Sequence, residues 1–275
     1  MCAGVSGGRS RPGLTDGEGR GGLGPRRRRG ERGQAMVESA IVLPMYVFLM
    51  LGILQLGLMH QAKALTKYAA YKAVRAGALN NARVKEMERA ALAVLLPLTS
   101  WQVGGVENIA PVNGFGAYSA KWGRFALNRM LEPPFMKVAK VDICGPVKGD
   151  LPSGAKEVEF DDPKVASGSG WEQHNRTKLR IQLTFNYRMP IPFANAVIHA
   201  MWLGQEVSSA LRLGKRDLAR IAAHRDYAAY MAAARKGDYV MPIRAEYSMR
   251  MQSNIYVNKA PIPDENNCVI PFSRR

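Results

Sequence analysis

Residues 39–62 read SAIVLPMYVFLMLGILQLGLMHQA, and the fold turns on this run. Its 24 residues hold no formally charged side chain, and His60 is the one group that ionises near neutral pH. Wound as a helix at about 1.5 Å per residue it spans about 36 Å, more than a hydrocarbon core of about 30 Å. The apolar side chains run right round the helix instead of down one stripe, unlike the core helix of a soluble protein. A cleaved secretory signal has a shorter apolar core followed by a small-residue cleavage site, and neither feature is present. One membrane anchor is therefore expected. Gln55, Gly57 and His60, near its outer end, suit a helix that meets other helices rather than lipid alone.

Upstream, residues 1–33 contain Gly, Arg, Ser and Pro almost to the exclusion of large apolar residues. Such a stretch buries too little surface to offset its ordering entropy and is expected to be disordered. Eight arginines (9, 11, 20, 26 to 29 and 32) against Asp16, Glu18 and Glu31 leave it at +5. Four consecutive arginines also suit nucleic acid, but the aromatic side chains that would stack on bases are absent here, so nucleic acid is not an expected partner. The positive-inside rule accounts for them better. It keeps the N-terminus in the cytoplasm and sends the C-terminal part out.

Glu38 sits where an apolar helix should not carry a carboxylate. Ionised at the centre of a bilayer it costs about 3 kcal/mol, less near the edge, and it calls for a partner. A plain interfacial Glu at a helix N-terminus, favoured by the helix dipole, is one reading. The spacing offers another. A cut after Gly33 makes Gln34 the first residue of a new chain and Glu38 the fifth. The new amine then lies about one helical turn from the carboxylate, or reaches that of a neighbouring subunit.

Residues 32–44, RGQAMVESAIVLP, resemble the processing motif of prepilins and pseudopilins: a Gly, four residues and a Glu heading a hydrophobic helix. Ala40 and Pro44 after that Glu resemble the TadE-like pseudopilins of tight-adherence (Flp-type) pilus systems. The resemblance covers about 30 residues. It implies processing between Gly33 and Gln34 by a prepilin peptidase and an assembly role for Glu38. It also implies residence in the inner membrane beside other pseudopilins, the pilin and membrane-platform proteins. Two departures matter. Ser39 stands where the major pilins of these systems carry Tyr, which speaks for a minor pseudopilin, and the long leader and large C-terminal region point to a specialised outer domain.

The expected fold is α+β, a long N-terminal transmembrane helix continuing into a mixed helix and antiparallel-sheet extracytoplasmic domain. The expected divisions are a leader at 1–33, cleaved off, an anchor at 34–62, a helical stalk at 63–96 and the outer domain at 97–275. Gly77 and Asn80-Asn81 are expected to break the stalk before a second helix over 82–96, with Met87, Ala91, Val94 and Leu95 on one face. Residues 99–135 read as irregular packing with one short helix, and 137–143 alternate as a strand. The Pro/Gly/Ser-rich piece 145–170 reads as a loop. The clearest strand is 178–187, with Leu179, Ile181, Leu183, Phe185 and Tyr187 on one face, ended by Pro190 and Pro192. Residues 191–203 are too short to span a membrane. A helix over 215–235, with Leu218, Ile221 and Ala222 on its apolar side, and a last strand over 240–251 complete the reading.

Catalytic and ligand-binding signatures are missing. His174, His199 and His224 are far apart, and none has a second ligand at metal spacing; His199 reads as a packed histidine. Ser167-Gly168-Ser169-Gly170 lacks the strand-then-helix setting of a nucleophile elbow, and no P-loop pattern occurs. Asp161-Asp162 reads as a solvated turn, and Met241, Met249 and Met251 as core. No catalysis, metal or cofactor is expected. The competing reading is a single-pass envelope enzyme or binding protein with a chance prepilin-like N-terminus. From Gln34 onward 31 basic residues face 19 acidic ones, which excludes an acidic solution protein and gives a solvated basic face. With three Cys in all, a disulfide scaffold or multi-Cys zinc module is excluded. Cys2 belongs to the leader. Cys144 and Cys268, left in an oxidising compartment, are expected to pair. The alternative, a buried apolar Cys144 and an exposed Cys268 thiol, stays open because sequence does not place their Cα atoms.

Overall fold

The computed structural model describes residues 31–103, 106–131, 133–151, 156–161, 177–203, 227–256, 262–266 and 268. The chain divides into two units, Met1–Met45 and Tyr46–Arg275. The described part of the first unit, residues 31–45, is helical throughout. It opens α1, Glu31–Leu79, which carries Pro44 in its interior. Pro44 has no N–H to donate, so the carbonyl four residues back lacks its usual partner.

Gly77 does not interrupt α1. The chain turns instead over 80–82, where Asn81 and Ala82 both have φ of 55° and the Asn80 side-chain amide donates to the Ala76 carbonyl at 2.8 Å. Gly77 has a packing role: a Cβ there would lie 2.4 Å from Met87 Sδ and 2.8 Å from Leu179 Cδ2. Its bareness lets the next helix, α2 (Val84–Leu95), and a strand of the sheet close onto α1. Helix α2 buries Met87, Glu88, Ala91, Leu92 and Leu95, spaced three or four apart as an amphipathic helix requires. The C-terminal part of α1 and α2 thus wall the core.

A short hairpin follows, β1 (Trp101–Val103) with β2 (Val106–Asn108), then α3 (Phe115–Phe125). The main sheet is antiparallel, order β3-β5-β6, built from β3 (Ala139–Gly145), β5 (Lys178–Arg188) and β6 (Val240–Arg250). Within the piece read as a loop, β4 (Glu157–Val158) pairs with β7 (Ile255–Tyr256), a contact between segments about 100 residues apart that no local pattern announces. Helices α4 (Ala194–Leu203) and α5 (Tyr227–Arg235) complete the described elements; the apolar side expected at Leu218, Ile221 and Ala222 lies outside them.

Strand β5 is buried on both faces, not one. Leu179, Ile181, Leu183, Phe185 and Tyr187 are buried as expected, but so are Gln182, Thr184, Asn186 and Arg188. The odd-numbered side chains meet α1, with Leu179 against Gly77 and Tyr187 against Gln55. On the other face the Tyr230 hydroxyl of α5 donates to Asn186 Oδ1 at 2.7 Å, and Gln182 Nε2 donates to Glu246 at 2.8 Å. The chain is α+β, a long apolar N-terminal helix followed by helices and antiparallel sheets.

Candidate functional site along the apolar helix

The backbone of Gly33 and Gln34 lies in the first turns of α1, and Glu38 follows about one turn later with its side chain exposed. The helix then presents bare apolar surface. Ile41, Leu43, Met45, Tyr46, Ile53, Leu54 and Leu56 are each more than half exposed, and none of the large apolar side chains from Met36 to Met50 is buried. The apolar window has a mean hydropathy of 2.2 with 6% of its residues buried. A soluble domain does not leave such a surface in water. Among the described residues this is the one helix long and apolar enough to cross a membrane, a single-pass anchor by length and composition.

The surface changes character at Gln55. Gln55 is fully buried, and Met59, Ala62, Thr66, Ala69, Ala70, Ala73 and Gly77 continue the same face against the sheet. The row is dominated by small residues, which allow a helix backbone to approach closely. Thr66 satisfies its hydroxyl by donating to the Ala62 carbonyl at 2.7 Å. Gln55 Oε1 accepts the Ile191 N–H at 3.1 Å. Burial pushes the nearby Tyr187 phenol up to about 12; the Gln55 side chain opposes that rise and the charge of Glu107 adds to it. No described side chain from Met36 to Leu54 is buried, so the bare surface of the helix ends at Gln55. Of the polar or small residues near its end, Gln55 meets the folded domain. Gly57 has open space where a Cβ would stand, and His60 is exposed.

Cys144, near the end of β3, and Cys268 are joined by a disulfide with Cα atoms 5.5 Å apart, 124 residues apart in sequence. The bond ties Cys268 to β3, and nearby the Pro263 carbonyl accepts the Lys148 N–H at 3.1 Å.

One cluster escaped sequence reasoning. Arg188, at the end of β5, is buried and donates to Glu107 Oε1 through Nε at 2.9 Å and to Asp238 Oδ1 through Nη2 at 2.5 Å. Burial raises the Glu107 carboxyl, with Arg188 opposing. Glu107 and Asp238 lie 81 and 50 positions from Arg188, so no motif joins them. The cavity beside them, lined by Phe125, Met130, Asn186 and Arg188 among others, measures about 10 Å³, room for one water at most. His199 is buried among aromatic rings, 5.5 Å from Tyr239 and 5.9 Å from Trp202, and burial pushes its imidazole down. Among the described residues no three His, Cys, Asp or Glu are grouped to hold a metal ion. His174, His224 and residues 167–170 lie outside them.

Residues 33–75 match the family model described as TadE-like protein. The match begins at Gly33 and runs through the anchor into the face that packs on the sheet. This N-terminal segment is TadE-like, which supports a Tad pilus-associated protein. No curated protein and no solved structure matches the chain.

Proposed function

We propose that this protein is a non-catalytic, membrane-anchored minor pseudopilin acting in assembly of a Flp-type pilus or related secretion machinery. A prepilin peptidase cuts between Gly33 and Gln34. The mature chain keeps its N-terminus at the cytoplasmic side of the inner membrane, and the α+β domain stands outside. Glu38 then serves assembly, through the amine of Gln34 or a neighbouring subunit, beside other pseudopilins, pilin and platform proteins. The observation that carries this reading is the Gly33/Glu38 spacing at the head of a lipid-length apolar helix, where the family match also starts.

Mass-spectrometric reading of the N-terminus in the native host tests it. A chain beginning at Gln34 is expected, and Gly33→Val should block the cut by obstructing the peptidase. A mature chain still beginning near Met1 would remove the pseudopilin reading.

A further inference from the structure

Helix α1 runs antiparallel beside β5. Gly77 meets Leu179, Tyr71 stacks edge-on to Tyr247 opposite Ile181, and Lys63 donates to the Arg244 carbonyl opposite Thr184. Gln55 meets Tyr187 and Ile191. One end of the sheet is therefore held at the level where the bare apolar surface of α1 begins, with Ile53, Leu54 and Leu56 at 60%, 58% and 57% exposure.

Two phenylalanines project at this end. Phe193, in the elbow after β5, is 73% exposed, and Phe135, in the loop before β3, is 55% exposed. The loop is a tight reversal in which the Met130 N–H donates to the Met136 carbonyl at 2.8 Å. Because Asn186 bonds the Lys137 carbonyl and Ala139 pairs with Phe185, its tip projects past the same end of the sheet. Both phenylalanines have left-handed backbone, φ 65° and 55°. A bulky L residue is disfavoured there, and Gly or Asn would fit both places better. Helix α4 extends the surface: Ala194, Asn195, His199 and Leu203 face inward, while Val197 is 41% exposed. No formally charged residue occurs from 189 to 203. The outer side of a surface helix in water is ordinarily charged or polar.

We propose that this end of the domain rests on the lipid surface from which α1 emerges, with Phe193, Val197 and Phe135 seated among head groups and upper acyl chains. The inference rests on the anchor reading of α1. Continuity with the apolar surface of α1, at a level set by the Gln55–Ile191 bond, selects lipid over a second protein. The apolar residues also come from separate elements at one end of the sheet, a layout that suits a fluid surface. Phe is among the side chains that interfacial segments seat at the boundary between head groups and acyl chains.

The test uses the full chain, Cys2 replaced by Ser, in vesicles of phosphatidylethanolamine and phosphatidylglycerol. Single fluorophores are placed through Phe193→Cys, Val197→Cys or Phe135→Cys. Leu49→Cys reports on the anchor, and Lys85→Cys, at the far end of the domain, reports on water. Labels at 193, 197 and 135 should be quenched by nitroxides carried at head-group depth, several-fold more than at 85, and shielded from iodide. Iodide quenching equal to that at 85, with Leu49→Cys still quenched by lipid nitroxide, would overturn the inference and leave the anchor standing. Shielding from both quenchers would overturn it in favour of a protein occupant. Loss of lipid quenching at 49 would remove the anchor reading and this inference together. In the Phe135→Asn/Phe193→Asn variant, lipid quenching at 197 should fall; unchanged quenching would overturn the seating of the phenylalanines.

Discussion

The Gln55 side-chain oxygen accepts the backbone N–H of Ile191 at 3.1 Å, joining residues 136 positions apart. This bond ties the elbow after the central strand to α1 at the place where its bare apolar surface gives way to a packed one. Gln55 is thus a structural acceptor, and its position sets how far the anchor extends.

Gln55→Leu should destabilise the folded domain by about 1 kcal/mol, because the half-buried Ile191 N–H loses its acceptor. Insertion should be unaffected, since the change only adds apolar surface to the helix. Unfolding of the detergent-solubilised full chain, followed by tryptophan fluorescence, reads the first effect. An unchanged midpoint would deny the bond a part in stability.

Glu38→Ala should leave the protein in the membrane fraction, because removing a charge eases insertion. Piliation should fall as the contact made by the carboxylate is lost. Normal piliation would reduce Glu38 to an interfacial residue.

Arg188→Met removes the cation between Glu107 and Asp238, whose side chains are 12% and 6% exposed. Stripping one partner from a buried charge cluster costs about 3 to 5 kcal/mol, mostly through the uncompensated carboxylates left behind. Chemical denaturation of the variant measures it. A loss below about 1 kcal/mol would place the cluster among surface-type ion pairs.

Reduction of the Cys144–Cys268 bond, or the Cys144→Ser/Cys268→Ser variant, should destabilise the chain. Closing a loop of 124 residues is worth about 5 kcal/mol in the chain-entropy treatment, an upper figure for real proteins. Thiol labelling of denatured, non-reduced mature protein should find neither cysteine free, as an oxidising compartment requires. Two reactive thiols there would contradict both the bond and the outside placement of the domain.

The pH dependence has a sign set by His199. Burial holds its imidazole below the ordinary value of 6.5, so its contribution is present above that pH. It is lost as the pH falls from 6.5 through the folded value, where the unfolded chain takes up the proton first. Glu107, raised by burial, acts in the opposite sense: its contribution is present at low pH and lost as the pH rises through its folded value. Comparison with His199→Phe isolates the histidine. The difference in stability between the two proteins should shift in favour of the variant as the pH drops below 6.5. A difference independent of pH would mean that His199 does not titrate differently on folding.

The anchor, the Gly33/Glu38 spacing and the strand over 178–187 were legible because each is written in consecutive residues: a charge-free run, a fixed interval and a period of two. Helix α2 was legible for the same reason, from Met87, Ala91 and Leu95 at helical spacing. Other features depend on residues far apart in the chain. The burial of Gln182 and Arg188 on the second face of β5 is one, since it takes α5 and the β1–β2 hairpin to cover that face.

By itself the sequence determined that an apolar helix of membrane length follows an arginine-rich segment and heads a mixed domain, because hydrophobicity and periodicity are local properties. The tertiary structure alone decided where that helix stops being bare, since only the packing of 187–191 on Gln55 converts apolar helix into core. It likewise decided that Gly77 continues a helix, because the atoms that require its bareness belong to Met87 and Leu179. And it decided that Phe135 and Phe193 stay outside the core at one end of the sheet: burial is a relation between distant segments, and a phenylalanine in the sequence does not record which way its backbone turns.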